Sequence, residues 1–152
     1  MIGATRTVVG AYLRAHVDAA IRALQARFGD YVDGEQPLIA GFSLGATEAS
    51  ELAIGAPARF PRVAVLEGGH NVWTRQAIRA FGDSGGLRVL LGCGSPWCVP
   101  LAKATVGRVS AAGIEAHMVY ANVGHTTDRP LQEAIMTELA WFLGDDPRWA
   151  QR

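Results

Sequence analysis

The sequence predicts an α/β domain in which about four short parallel strands are flanked by helices. Three observations carry that prediction. Nearly continuous apolar runs lie at 37–42, 62–66, 87–91 and 114–120, the pattern of strands buried on both faces. Each gap between them holds a segment with helical apolar spacing, the kind of crossover that joins parallel neighbours. Gly55, Pro57, Gly82 and Gly113 then punctuate the segment ends.

The elements follow in order. Val17, Ala20, Ile21, Leu24 and Phe28 share one helical face, which predicts a helix over Arg14 to Phe28, broken by Gly29-Asp30 and Asp33-Gly34. A strand over Pro37 to Phe42 leads into a helix from Gly45 to Ile54. Arg62 to Leu66, in part β-branched, is the second strand. Val72 to Phe81 reads as a helix stopped by Gly82, and Leu87 to Leu91 as the third strand. Val99 to Ala112 is a helix, Ile114 to Tyr120 the fourth strand, and Pro130 to Leu143 the last helix, with Pro130 suited to its first turn. Crossovers in such a sheet are right-handed, and ligands gather beyond the carboxyl ends of the strands. Ser43, Glu67, Gly94 and His125 all fall at those ends.

Composition narrows the class. The chain has 152 residues, enough for one domain with one core, and 49% of them are hydrophobic. Fourteen basic residues balance fourteen acidic ones, with no basic stripe, so nucleic acid is not expected as a partner. No apolar run reaches the length of a membrane span. The start, Met1 to Gly10, lacks the apolar core of a signal peptide. The two cysteines, Cys93 and Cys98, are too few for a disulfide scaffold, and their spacing suits neither a redox pair nor a four-ligand zinc site. One short bridge between them is open on sequence grounds. No metal is expected.

The rim residues carry the candidate chemistry. Gly41-Phe42-Ser43-Leu44-Gly45 places a serine on a sharp strand-to-helix turn, where a hydroxyl can act as a nucleophile; the bland reading is a Gly-rich turn whose serine caps the next helix. His125, about 80 residues on in Gly124-His125-Thr126, is the candidate base, since imidazole is the side chain suited to taking and returning a proton near neutrality. Its alternative is a loop histidine paired with Asp128. An orienting carboxylate is needed behind the ring. The loop Gly94-Ser95-Pro96-Trp97-Cys98 holds none, so Glu67 is the first candidate, Asp128 the second, and Asp83 lies too far along its helix. The Leu44 N–H is one oxyanion donor, and a second must come from a loop after an earlier strand, for which Thr5 to Val9 is too short.

The remaining histidines and tryptophans are read more plainly. His16 lies on the first helix. His117 reads as a packed side chain of the last strand bonded to a carbonyl. His70, in Gly68-Gly69-His70-Asn71, reads first as a loop or helix-start residue and second as a pocket wall, and Trp73 and Trp97 are either walls of an apolar acyl or aromatic pocket or fillers of the core edge. Trp141, beside Phe142, reads as core, and Trp149 as surface packing.

At this point the chain resembles the α/β-hydrolase superfamily, most nearly the carboxyl-terminal half of a small esterase or dienelactone-hydrolase-like protein, over Arg14 to Leu143. Gly41 to Gly45 resembles the nucleophile elbow, and Gly124-His125 the histidine loop. The resemblance implies a partial hydrolase fold in a single domain over 1–152, lacking the amino-terminal strands. It implies Ser43 as nucleophile, Leu44 N–H as oxyanion donor and His125 as base. The family's aspartate loop carries Trp97 here, and members that take the acid from the preceding strand make Glu67 its replacement. The missing strands would leave the Pro37 to Phe42 edge unpaired. A homo-oligomer or a partner subunit would then cover it.

Two functions follow as expectations. One is a serine esterase that hydrolyses a small-molecule carboxylic ester through an acyl-enzyme, without a cofactor. The other is a catalytically weak or inactive α/β-hydrolase-like fragment acting as a binding or assembly domain.

Overall fold

A computed structural model of the protein describes residues 2–32, 34–144 and 146–149. The side chains of 2–11 and of Trp149 lie outside the described part, and so does the expected break at Asp33. In chain order the elements are α1 (Ile2–Phe28), β1 (Ile39–Phe42), α2 (Leu44–Gly55), β2 (Arg62–Leu66), α3 (Arg75–Asp83), β3 (Arg88–Cys93), α4 (Cys98–Ala111), β4 (Glu115–Tyr120) and α5 (Arg129–Leu143). Single 3-10 turns sit at Gly29–Tyr31, His70–Val72 and Pro147–Trp149.

The strands form one four-stranded sheet in the order β1-β2-β3-β4, parallel throughout. Successive side chains point to opposite faces of a strand, and the core divides accordingly. Val63, Val65, Val89, Leu91 and Ala116 face α2, α3 and α4, whose buried positions include Leu52, Ile78, Phe81, Ala102 and Val109. Leu13 and Val17 of α1 pack on that same core. Ala64, Leu90 and Val119 face the other way and are covered by Leu131 and Phe142 of α5. The expected general architecture, a parallel sheet between helices, is therefore present.

Several boundaries differ from expectation for identifiable reasons. α1 begins twelve residues earlier than the apolar spacing shows, at Ile2 rather than Arg14, and takes in Thr5 to Val9. The expected helix over Val72 to Phe81 is two pieces. A 3-10 turn ends at Val72, and α3 starts after Thr74, whose hydroxyl accepts the Ala77 N–H at 3.2 Å. That N-cap is the signal that separates the pieces. The break turns Trp73 inward. It is 1% exposed, donates its indole N–H to Ser50 Oγ at 3.1 Å and meets Phe81 edge-on.

Candidate functional site

Four loops leave the carboxyl ends of the strands together. Ser43 N–H donates to Leu66 O at 2.8 Å and Glu67 N–H to Gly92 O at 2.9 Å, so each loop starts while still tied to its neighbour. The Gly94 carbonyl accepts from Val123 N–H at 3.0 Å and Gly124 N–H at 2.9 Å, which fastens the loop after β4 to the loop after β3. These ties hold His125 over the sheet.

Ser43 and Glu67 both carry a positive φ, 55° in each case. Such backbone costs a non-glycine residue roughly 1–3 kcal/mol. It needs close approach of neighbouring main chain. A Cβ on Gly41 would fall inside contact distance of the Gly45 carbonyl, and one on Gly68 inside contact distance of the Ser43 carbonyl. Gly45 has open space at its Cβ position, so of the two glycines flanking Ser43 only the first is sterically required.

The structure brings Ser43, His125 and Glu67 together. His125 Nε2 lies 3.0 Å from Ser43 Oγ, and Nδ1 lies 2.9 Å from Glu67 Oε2. The Glu67 side chain is fully buried while the His125 ring is 47% exposed. The other Glu67 oxygen accepts the N–H groups of Gly94 at 2.5 Å and Ser95 at 2.7 Å. Burial alone would raise the Glu67 carboxyl; the hydrogen bonds from Ser95, His125 and Gly94 outweigh it and hold the group below its ordinary value. An ionised carboxylate only accepts, so Nδ1 carries the ring hydrogen and Nε2 accepts from the Ser43 hydroxyl. Phe42 lies 4.8 Å from the imidazole, ring centre to ring centre, and Trp97 stacks on it at 6.2 Å. Asp128 instead accepts from the Thr126 hydroxyl at 2.8 Å, so the expected local pair with His125 does not form.

The pocket walls are not where the sequence places them. Trp73 is core. His70 is 8% exposed, and its Nε2 lies 3.5 Å from Cys98 Sγ. Burial is the main reason its pKa falls, with Glu67 opposing and Arg108 assisting. Of the three expected walls only Trp97 stays at the surface, 54% exposed. Cys93 and Cys98 form a disulfide across the turn from β3 into α4. With His70 they make the one group of three metal-capable side chains among the described residues, all ligand atoms within 4.8 Å of one another. Sequence reasoning missed this cluster, because a histidine in the loop after β2 and a cysteine pair spanning the turn from β3 into α4 carry no shared spacing.

The histidines elsewhere have structural partners. His16 Nδ1 contacts the Tyr12 carbonyl at 2.8 Å. His117 bonds Glu138 at 2.7 Å and stacks on Trp141 at 3.7 Å, a carboxylate and a ring where a carbonyl was expected. Trp141 is half-buried, its N–H on Glu115 at 2.8 Å, where full core burial was expected.

In comparisons with protein-family models, curated proteins and solved structures, nothing matches the chain.

The expectation of a serine esterase working through a nucleophile elbow is corrected on these findings. Two of its possible pocket walls were His70 and Trp73. The first is instead sunk against the Cys93–Cys98 disulfide, in a sulfur–imidazole cluster, and the second is packed in the core. Its oxyanion site required a donor beside Leu44 N–H from a loop after an earlier strand, and among the described residues no strand precedes β1. Loss of one such donor costs roughly 3–4 kcal/mol of transition-state stabilisation. The hydroxyl–imidazole–carboxylate hydrogen bonds stand as geometry. They join three loops, and alone they do not supply a substrate site.

Proposed function

We propose that this chain is a catalytically weak or inactive α/β-hydrolase-like domain that works by assembly, with the open edge of β1 as its docking element. The observation that carries the reading is that, among the described residues, β1 pairs with a strand on one side only, β2. Backbone N–H and C=O groups of alternate residues point to opposite sides of a strand. Ser43 N–H points to β2, so the groups of Ala40 and Phe42 point away from it. The strand sequence there is Ile-Ala-Gly-Phe, without a charge, and Ala40 is exposed.

The opposite edge differs in kind. β4 carries Glu115, engaged with Arg88 at 2.8 Å, and His117, engaged with Glu138. Charged edge residues discourage strand pairing, and an uncharged apolar edge invites it. A strand from another chain laid along β1 would satisfy the outward groups of Ala40 and Phe42 and extend the sheet. A second copy of this chain is the simplest such partner. Likeness to the hydrolase superfamily supports the same edge, since that sheet continues past the strand that ends in the serine turn.

Sedimentation velocity over a concentration series tests the proposal. The wild type is expected to self-associate. Ala40→Pro, which removes an outward N–H and leaves the bonds to β2 in place, is expected to stay monomeric with an unchanged circular dichroism spectrum. A wild type that is monomeric throughout, or a folded Ala40→Pro protein that associates equally, would overturn it.

A further inference from the structure

The cluster behind the rim holds an unexplained polar group. His70 is more than nine-tenths buried, yet its Nδ1 has no hydrogen-bond partner. Its Nε2 faces the disulfide sulfur of Cys98, which carries no hydrogen to donate and is a weak acceptor. Nε2, the ring nitrogen that faces the sulfurs, thus has only a weak partner there. An imidazole and two cysteine sulfurs are also the donor set of zinc sites with an open fourth position.

We propose that reduction of the Cys93–Cys98 disulfide converts this cluster into a Zn2+ site whose ligands are His70 Nε2, Cys93 Sγ and Cys98 Sγ, with a water completing the tetrahedron. The distances suit it. Tetrahedral Zn–S and Zn–N bonds place sulfur and nitrogen about 3.6 Å apart, and Cys98 Sγ already stands 3.5 Å from His70 Nε2. The cysteine Cα atoms are 5.5 Å apart, which leaves room for the freed sulfurs to turn about Cα–Cβ onto one metal. Two thiolates and a neutral imidazole around Zn2+ carry no net charge, so the filled site suits a buried place.

The step needs a reductant, and a dithiol supplies it. One of its thiolates attacks a cystine sulfur, breaking the S–S bond and forming a mixed disulfide. Its second thiolate displaces the protein and leaves as a cyclic disulfide. Two electrons pass from the dithiol to Cys93 and Cys98, which end as thiols. Zn2+ then takes their place on sulfur and both thiol protons go to solvent. Oxidation by a disulfide reverses the sequence and expels the metal. The proposal stands independently of assembly through β1.

The test uses the whole chain, reduced by a water-soluble phosphine and titrated with Co2+ as a spectroscopic stand-in for Zn2+, followed by Zn2+ competition. Expected are one metal per chain, a thiolate-to-metal charge-transfer band, and the strong visible bands of tetrahedral Co2+. The oxidised protein is expected to show none of these. Cys98→Ser, which leaves one thiolate, should cut the charge-transfer intensity to about half or less. His70→Ala should weaken binding by well over a hundredfold, beyond the ~10–100-fold typical of an outer-shell change. Circular dichroism is recorded at each stage. Reduced protein that takes up no Co2+, folded or not, overturns the proposal, as does equal affinity in His70→Ala, which would mark binding by loose cysteines.

Discussion

Replacing Glu67 by Gln tests how the rim is held. The wild-type carboxylate accepts from Gly94 N–H, Ser95 N–H and the His125 ring with its side chain fully buried. Hydrogen bonds to an ionised group contribute about 1.5–3 kcal/mol, neutral ones about 0.5–1.5. The amide oxygen keeps the two backbone bonds at neutral strength, a loss of about 1 kcal/mol each. Its NH2 then faces a ring nitrogen that carries hydrogen, so the third bond survives only if the ring changes tautomer. The sum is about 2–4 kcal/mol. With a urea m-value of about 2 kcal/mol/M, the unfolding midpoint falls by about 1–2 M at neutral pH. The pH dependence follows from the lowered carboxyl pKa. Its contribution is full above the ordinary value of 4.5 and is lost as pH falls through the lower folded value. The gap between the two proteins should therefore close in acid. Urea titrations at pH 7 and at successively lower pH read this out. A gap that is absent at pH 7, or equally wide throughout, would refute the reasoning.

Three further outcomes are expected. Ser50→Ala leaves the Trp73 indole N–H without its acceptor in a fully buried site, and should cost about 1–3 kcal/mol in chemical unfolding. Gly41→Ala presses a Cβ onto the Gly45 carbonyl, a main-chain atom that cannot swing aside, so it should lower the thermal midpoint by several degrees, roughly the shift of a 1–2 kcal/mol change. Stopped-flow mixing with an activated aryl ester should give the same leaving-group release from wild type and Ser43→Ala. A burst present only in the wild type would restore the esterase reading rejected above.

The parallel sheet was legible because Val63, Val65, Val89 and Leu91 sit in strands buried on both faces, and such strands show as uninterrupted apolar runs. The meeting of Ser43, Glu67, Gly94 and His125 at one rim was legible from topology, since parallel strands send their carboxyl ends the same way. What lies inside that rim was not. Trp73 reads as a wall or as core depending on where a helix starts, and the Thr74 cap moves the start by three residues. The positive φ of Glu67 falls on a non-glycine residue, so only the Gly68-Gly69 pair beside it hints at the turn. His70 reaches Cys98 across 28 residues of chain, a pairing set by the sheet register and invisible to local spacing. α1 began earlier than expected, at Ile2, because the Val17-to-Phe28 stripe extends back through Leu13 and Val9.

The most direct test of assembly through β1 is amide hydrogen exchange resolved at Ala40 and Phe42. The account predicts exchange of these two amides that slows as protein concentration rises, while in Ala40→Pro the Phe42 amide exchanges rapidly at every concentration. Rapid exchange at both amides in wild type, even where sedimentation shows associated protein, would contradict it.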